Sequence, residues 1–282
     1  MNLSSRVPFL LAAAPPIAAG LFVLSFAEVS KSIWLMQFLF ICIIFLLVTA
    51  GQFLDRWIHG FTAANGIVLV ALTGIAAPLL THSSLPQRWV PLGALNLYIA
   101  PLLLPSFFAA CSVYFRKRGK FETIAFTALI GASILLAIQP DASQVLALLA
   151  GAATLFMRYR TDLLRSTLTL VIIALVTMWS FTRPDPLEPV PYVEGVFALA
   201  FGHSLFAGFA VIGSAFIFIA CLYAYSRRST SWLSAVAVYY AMLFGCSAAG
   251  LTPAPLIGYG AGPLLGFGFM AAISGWIEPE AA

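Results

Sequence analysis

The sequence predicts an all-α, polytopic membrane protein of about ten spanning helices with both termini in the cytoplasm. Three observations carry that prediction: the composition, the length of the apolar runs, and the placement of the basic residues. Of 282 residues, 62% are hydrophobic and 9% are charged, and the mean hydropathy is +1.01. A soluble domain carries about 25% charged residues, and no water-soluble fold of this size hides so much apolar surface. Lipid is therefore the solvent for most of the chain. The runs are long and continuously apolar rather than short and alternating, which selects helices over a β-barrel.

The apolar runs fall at 7–27, 32–54, 61–81, 96–115, 121–138, 142–157, 163–181, 193–225, 231–250 and 261–277. Each is close to the roughly 20 residues that cross a bilayer. Together they leave only short connections, so residues 1–282 are read as one transmembrane domain with no extramembrane catalytic domain. The first run ends in Ser25-Phe26-Ala27, which looks like a signal-peptide cleavage site. It is long for the apolar core of a signal, however, and Pro15-Pro16 interrupts it, so it is read as a retained helix. The eighth run exceeds one crossing. His203, inside it, either marks a break or lies buried against a hydrogen-bonding neighbour.

With the N-terminus inside, eleven of the 14 basic residues face the cytoplasm: Arg6, Arg56, Arg116, Lys117, Arg118, Lys120, Arg158, Arg160, Arg165, Arg227 and Arg228. Only Lys31, Arg88 and Arg183 lie outside. This is the asymmetry expected of short cytoplasmic loops. A miscounted helix would swap the later loops and erase it. The basic clusters are thus topology signals, and the pI near 9.0 implies no nucleic-acid partner. Cys42, Cys111, Cys221 and Cys246 fall inside apolar runs without C-x-x-C spacing and read as small packed hydrophobes.

The longest external segments are 82–93, 182–194 and 251–262, joined by the short Gln139-Pro140-Asp141 turn. Acids near hydrocarbon are functional suspects. Asp141 is either a carboxylate facing substrate or the N-cap of the sixth helix. Glu194, if helical, shares a face with Phe197, Ala198 and Phe201. It is either a base on a partly dehydrated aromatic face or an interfacial acid favoured by a helix N-terminus. His203 lacks a second ligand, and His59 and His82 belong to loops, so no metal site is implied. The sequence names no cofactor and is silent on a divalent cation. The uncharged, Gly- and Pro-rich stretch 251–263 reads either as a structured loop beside a ligand groove, with Tyr259 at its edge, or as an ordinary turn. No fixed-period repeat supports an inverted-repeat transporter.

Four external stretches, taken in order, carry a family resemblance. Gln87-Arg88-Trp89-Val90-Pro91-Leu92-Gly93, with Asn96, is similar to an R-R-W-(I/L)-x-L-G element. Gln139-Pro140-Asp141 is similar to Q-P-D-x-G-(T/S). The stretch from Glu194 to Ala200, with Gly208 after it, is similar to D-F-I-F-A-V-(I/L)-A-E-E-L-G-x-x-G. The stretch from Gly250 to Gly262 is similar to T-G-L-x-x-P-x-(I/L)-S-Y-G-G-S. Together they resemble the SEDS family (shape, elongation, division and sporulation), membrane glycosyltransferases that polymerise peptidoglycan from lipid II. The likeness runs from about Leu85 to Ile277. It departs from the family where Tyr98–Leu104 replaces a Q-P-S-E-x-x-K element. Glu194 stands in place of the catalytic Asp, and Gly202-His203 in place of an acidic pair. The large loop after the seventh helix is cut to 182–193.

The resemblance implies a SEDS-like bundle in the bacterial inner membrane, acting in cell-wall synthesis, shape or division. It implies Glu194 as catalytic base, with Arg88, Asp141, Tyr259 and His203 as substrate-binding residues. The implied partners are a lipid-linked saccharide or isoprenoid lipid and a single-pass or multi-pass membrane protein. Two other functions fit the chain: a SEDS-like scaffold subunit that has lost its chemistry, and, with less support, a small-molecule transporter. The topology is testable. Single cysteines introduced at Gln87 and Arg183 in a chain lacking the natural four should react with an impermeant maleimide added outside intact cells, and one at Arg160 should not. The reverse pattern would overturn the assignment.

Overall fold

Because hydrocarbon offers no partner to backbone polar groups, each apolar run closes its hydrogen bonds within a helix. The computed structural model describes residues 3–80, 87–93, 95–184, 190–228 and 230–277. His82 and residues 185–189 of the shortened outer loop lie outside them. The helices are α1 (Leu3–Phe26), α2 (Lys31–Leu54), α3 (Gly60–Ala76), α4 (Ile99–Lys117), α5 (Lys120–Ile138), α6 (Ala142–Tyr159), α7 (Leu163–Phe181), α8 (Val196–His203), α9 (Leu205–Arg228), α10 (Leu233–Ala248) and α11 (Ala261–Ile277). Among the described residues, eight helices are long and apolar enough to cross a membrane, and α10 and α11 are shorter apolar helices. The protein is a helical, multi-pass membrane protein.

Burial separates a core from a lipid face. α4 and α11 are buried along almost their whole length, while α2, α7 and α9 present large apolar side chains outward, including Phe45, Leu164 and Phe216. α11 packs on α2 and α4, α6 packs on α10, and α1 lies chiefly against α9. Lipid is as apolar as Leu, so helices associate through close van der Waals contact, often at small residues. α11 does this at Gly262 and Gly266. A Cβ on Gly262 would stand 2.4 Å from the Tyr98 carbonyl oxygen, and one on Gly266 would stand 2.1 Å from that of Pro101. The two helices therefore touch backbone to backbone.

Helix C-termini leave carbonyls without intrahelical donors, and cytoplasmic arginines satisfy several. Arg116 donates to the Ile277 carbonyl, and Arg118 donates to those of Tyr159 and Arg160. Arg6, fully buried in α1, bonds Asp55 at the end of α2 and the Val48 carbonyl. The basic residues that set topology also fasten the cytoplasmic ends together.

The outer face departs from a plain bundle in three places. First, a β-hairpin precedes α4: β1 (Trp89–Leu92) pairs antiparallel with β2 (Leu95–Tyr98), and Trp89 opposes Tyr98. The fold is thus not wholly helical, and residues 96–98 of the expected fourth helix are strand. The Leu-Asn-Leu-Tyr alternation suits a pleated strand, and Gly93 supplies the positive φ of 64° that the turn requires.

Second, the long eighth run breaks at Ser204, whose backbone is extended at φ −167° and ψ 156°. Ser204 Oγ accepts the Ala207 N–H and caps α9. His203 is the last residue of α8.

Third, α10 and α11 stop short of the outer surface, and residues 249–260 fill the space. Residues 252–258 are buried. Their backbone bonds go to protein: Ala254 N–H donates to the Val193 carbonyl and Tyr259 N–H to that of Tyr192. Irregular backbone at membrane depth is tolerated when protein satisfies it in this way. The packing of α11 gives a direct test. Gly266→Ala forces a side chain into the Pro101 carbonyl and should destabilise by roughly 2 kcal/mol or more. Gly213→Ala, with open space around it, should be neutral. Thermal unfolding midpoints in one detergent compare them, and equal midpoints would refute the close contact.

Candidate functional site

The outer ends of α4, α6 and α7, the β-hairpin and the 249–260 segment surround two pockets. Arg88 enters from the start of the hairpin, which the antiparallel pairing holds against the N-terminus of α4. Asp141 enters from the α5–α6 turn, which is locked by the Gln139 side chain donating to the Ile75 carbonyl at the end of α3. Both residues are buried, at 8% and 2% exposure.

Asp141 occupies the N-cap position of α6, but its carboxylate makes no capping bond. It accepts instead a 2.6 Å hydrogen bond from the Tyr98 hydroxyl. A bond to a carboxylate is charge-assisted and stronger than one between neutral groups. Close by, Gln144 in the first turn of α6 accepts from the Tyr239 hydroxyl at 2.7 Å. Burial pushes the Tyr98 phenol well above its usual range; the Asp141 carboxylate pushes the same way and the Arg88 guanidinium opposes both. Tyr98 is therefore a donor at any physiological pH. The Arg88 guanidinium lies 6.0 Å from the centre of the Tyr98 ring, whose other neighbour is the stacked Trp89.

The first pocket, about 200 Å³, is lined by Arg88, Asp141, Ser143, Ser180, Arg183 and Leu251, with the 140–142 turn and Phe181. Two guanidinium groups face one carboxylate, so the lining has a net positive charge. Ser180 Oγ is buried and has no hydrogen-bond partner among the described residues, a cost of about 1–3 kcal/mol unless something in the pocket pairs with it. Arg183, which also lies over the Trp179 ring, Ser180 and Tyr98 were not singled out by the sequence. Arg183 was visible there as one of three outer basic residues. Tyr98 was hidden because it looked like part of an apolar helix.

The second pocket, about 320 Å³, is lined by Glu194, Tyr192, Tyr259, Trp89, Asn96 and Phe40, with Leu95, Val190, Val193 and 260–261. Glu194 stands in a turn before α8, since the N–H groups of Val193, Glu194 and Gly195 all reach the Val190 carbonyl. The helical face expected with Phe197, Ala198 and Phe201 is therefore not formed at Glu194. One carboxylate oxygen accepts the Val190 N–H at 2.9 Å. Tyr259 meets Tyr192 edge to face, and burial raises its phenol pKa, with Tyr192 adding to the rise. Trp89 Nε1 is a second buried donor without a partner among the described residues.

The structure thus brings Arg88 together with Asp141, and Glu194 together with Tyr259, in pockets that share no lining residue. Arg88 and Trp89, adjacent in sequence, belong to different pockets. His203 lines neither. It is exposed and stacks on Phe26 of α1 with ring centroids 4.0 Å apart. Among the described residues, no cluster of His, Cys, Asp and Glu has the arrangement of a metal site.

No protein-family model matches the chain, and no curated protein matches it by sequence. Solved structures do match. The rod shape determining protein RodA of Thermus thermophilus superposes with a TM-score of 0.70 at 19% identity, covering 94% of this chain and 95% of that one. A single-residue variant of the same RodA gives 0.69 at 18% identity, with 94% and 96% covered. A chain from a peptidoglycan synthase complex, solved to show how polymerization and crosslinking are coordinated, gives 0.63 at 19%, with 94% and 96% covered. At these identities the likeness is one of fold: the chain is built on a RodA-like helical membrane fold.

The Tyr98–Asp141 bond organises the first pocket and can be removed alone. Tyr98→Phe keeps the ring against Trp89 but leaves the buried carboxylate short of a donor. Loss of about 1–3 kcal/mol and a thermal midpoint lower by several degrees are expected; an unchanged midpoint would show the bond to be dispensable.

Proposed function

We propose that this chain is a SEDS-type protein of the bacterial cytoplasmic membrane that holds a lipid-linked saccharide at its outer face during cell-envelope synthesis. The observation that carries the reading is the pair of guanidinium groups, the buried Arg88 and the exposed Arg183, that line one pocket on that face. A lipid-linked sugar presents a pyrophosphate at the membrane surface, and guanidinium forks match phosphate oxygens in geometry and charge. The low dielectric around the pocket strengthens that attraction relative to water. Asp141, bonded to Tyr98, balances the arginines and fixes the floor. The RodA-like fold and the four sequence elements support the same assignment, as does the neighbour that belongs to a peptidoglycan synthase complex.

In its catalytic form, the reading gives Glu194 the role of base. The carboxylate would take the proton of an attacking sugar hydroxyl as that oxygen bonds to the anomeric carbon. The bond from that carbon to the lipid pyrophosphate then breaks, and the pyrophosphate leaves on the lipid. Tyr259 and Asn96 would orient the sugar beside it, and effective catalysis needs such positioning. A second reading is favoured by a specific observation: Glu194 and the arginine pair occupy separate pockets. A scaffold subunit that binds the lipid-linked saccharide, or only a membrane protein partner, without polymerising needs no closer approach.

Binding and polymerisation of lipid II by the purified protein in nanodiscs separate these readings. Arg88→Gln and Arg183→Gln should each weaken lipid II binding about tenfold or more, while Glu194→Gln leaves binding intact. Polymer made by the unaltered protein and lost in Glu194→Gln supports the base. Absence of polymer, with or without a partner protein, supports the scaffold. Binding indifferent to both arginine substitutions would remove the outer pocket from the function altogether.

A further inference from the structure

A third cavity lies at the opposite end of the molecule and plays no part in the outer site. It opens between the cytoplasmic ends of α6 and α9 and the start of α10, with a volume of about 480 Å³. Arg158 reaches it from the last turn of α6 and Arg227 from the last turn of α9. Thr154 and Ser234 form polar walls, and Met157 and Tyr223 stand at its rim. No acidic residue lines it, so it carries two positive charges with nothing in its own wall to balance them.

The chemistry of the wall narrows the ligand. The hydroxyls of Thr154 and Ser234 donate their protons to the Ala150 and Ser231 carbonyls, which leaves the guanidinium groups as the principal donors. Arg158 spends one N–H on the Ser226 carbonyl at 3.3 Å. Each guanidinium has five N–H groups, so that bond orients Arg158 toward α9 and leaves most of its donors available. Two forks converging from different helices suit a phosphodiester, which one arginine alone would hold less specifically. The rim identifies the source. Met157 and Tyr223 are exposed, at 73% and 52%, on helices whose preceding turns are within the bilayer. A soluble anion has no use for that apolar rim, whereas acyl chains pack on it.

We infer that this cavity is a binding site for the headgroup of an anionic phospholipid of the cytoplasmic leaflet, clamped between Arg158 on α6 and Arg227 on α9. Basic pockets between helices on the cytoplasmic side have the charge and depth for such lipids. The bound lipid bridges α9 and α6, whose outer end lines the first pocket, so it braces the bundle from the opposite side.

Native mass spectrometry of the full chain, delipidated in detergent and offered equal phosphatidylglycerol and phosphatidylcholine, reads the site. The unaltered protein should retain phosphatidylglycerol in preference by about tenfold or more. R158Q/R227Q should lose most of that preference. R165Q, which removes a cytoplasmic arginine elsewhere, should keep it. R227Q alone provides the reading should the double variant fail to fold, because Arg227 is exposed; its preference should fall severalfold. Preference unchanged in these variants, or lost equally in R165Q, would overturn the site in favour of general surface charge. Displacement of the lipid by soluble glycerol phosphate at the same concentration would overturn the lipid assignment in favour of a free phosphate site.

Discussion

The rest of the structure depends on the contact between α11 and α4, where Gly262 and Gly266 bring two backbones together. Lipid gives helices no hydrophobic reason to associate, so affinity between them comes from surface fit, and the fit is closest where side chains are absent. The Gly262 contact falls on the carbonyl of Tyr98, the residue that joins the hairpin to α4 and donates to Asp141. A single packing decision in the core therefore sets the depth of the hairpin, the direction of the Tyr98 phenol and the floor of the arginine pocket. Larger side chains at these glycines would push the outer face apart as a unit.

Above that contact, the outer face concentrates polar groups in surroundings that water does not screen. Tyr98 donates to Asp141 and Tyr239 donates to Gln144, two buried hydrogen bonds at the start of α6, and both are rigid because breaking either strands a polar group. Arg88 stands near the Tyr98 ring that the first of them fixes, and lines the same pocket as Arg183. The Glu194 pocket is built differently: it is framed by backbone bonds between the 190–195 turn and the 249–260 segment. Its aromatic walls, Trp89, Tyr192 and Tyr259, offer flat apolar faces of the kind that stack on sugar rings or isoprenoid chains. The two pockets differ in chemistry as well as position, one cationic and one aromatic with a carboxylate.

Much of the helical order was legible because lipid imposes it: a run of about 20 apolar residues has few alternatives in a bilayer, and the basic residues give a second, independent count. The hairpin was not legible. Leu95-Asn96-Leu97-Tyr98 adjoins a long apolar helix, and four alternating residues are too few to outweigh that continuity. The break at Ser204 was half visible through Gly202 and His203, while its cap became apparent only in three dimensions. For the site, Arg88, Asp141, Glu194 and Tyr259 were singled out by charge or by the composition of their segments. Their division into two pockets was invisible, because it depends on which side of the hairpin each side chain lies. Ser180 and Tyr98 sit in apolar segments without charge to mark them, and their importance comes from burial and partners alone. His203 shows the converse: a polar residue conspicuous in sequence that the fold sends to an exposed stack on Phe26.

The position of α1 bears on how the chain is put together. Its principal packing surface is α9, which begins about 180 residues later. At translation speeds of roughly 5–20 residues per second, that partner emerges some 10–40 seconds after α1 has left the ribosome. During the interval, its ties to α2, the Arg6–Asp55 ion pair and the Arg6 bond to the Val48 carbonyl, shelter it together with lipid or insertion machinery. The ion pair thus acts as a temporary mooring. It pairs a guanidinium that the finished bundle buries completely, and keeps the earliest helix within reach until the late half of the bundle arrives to receive it.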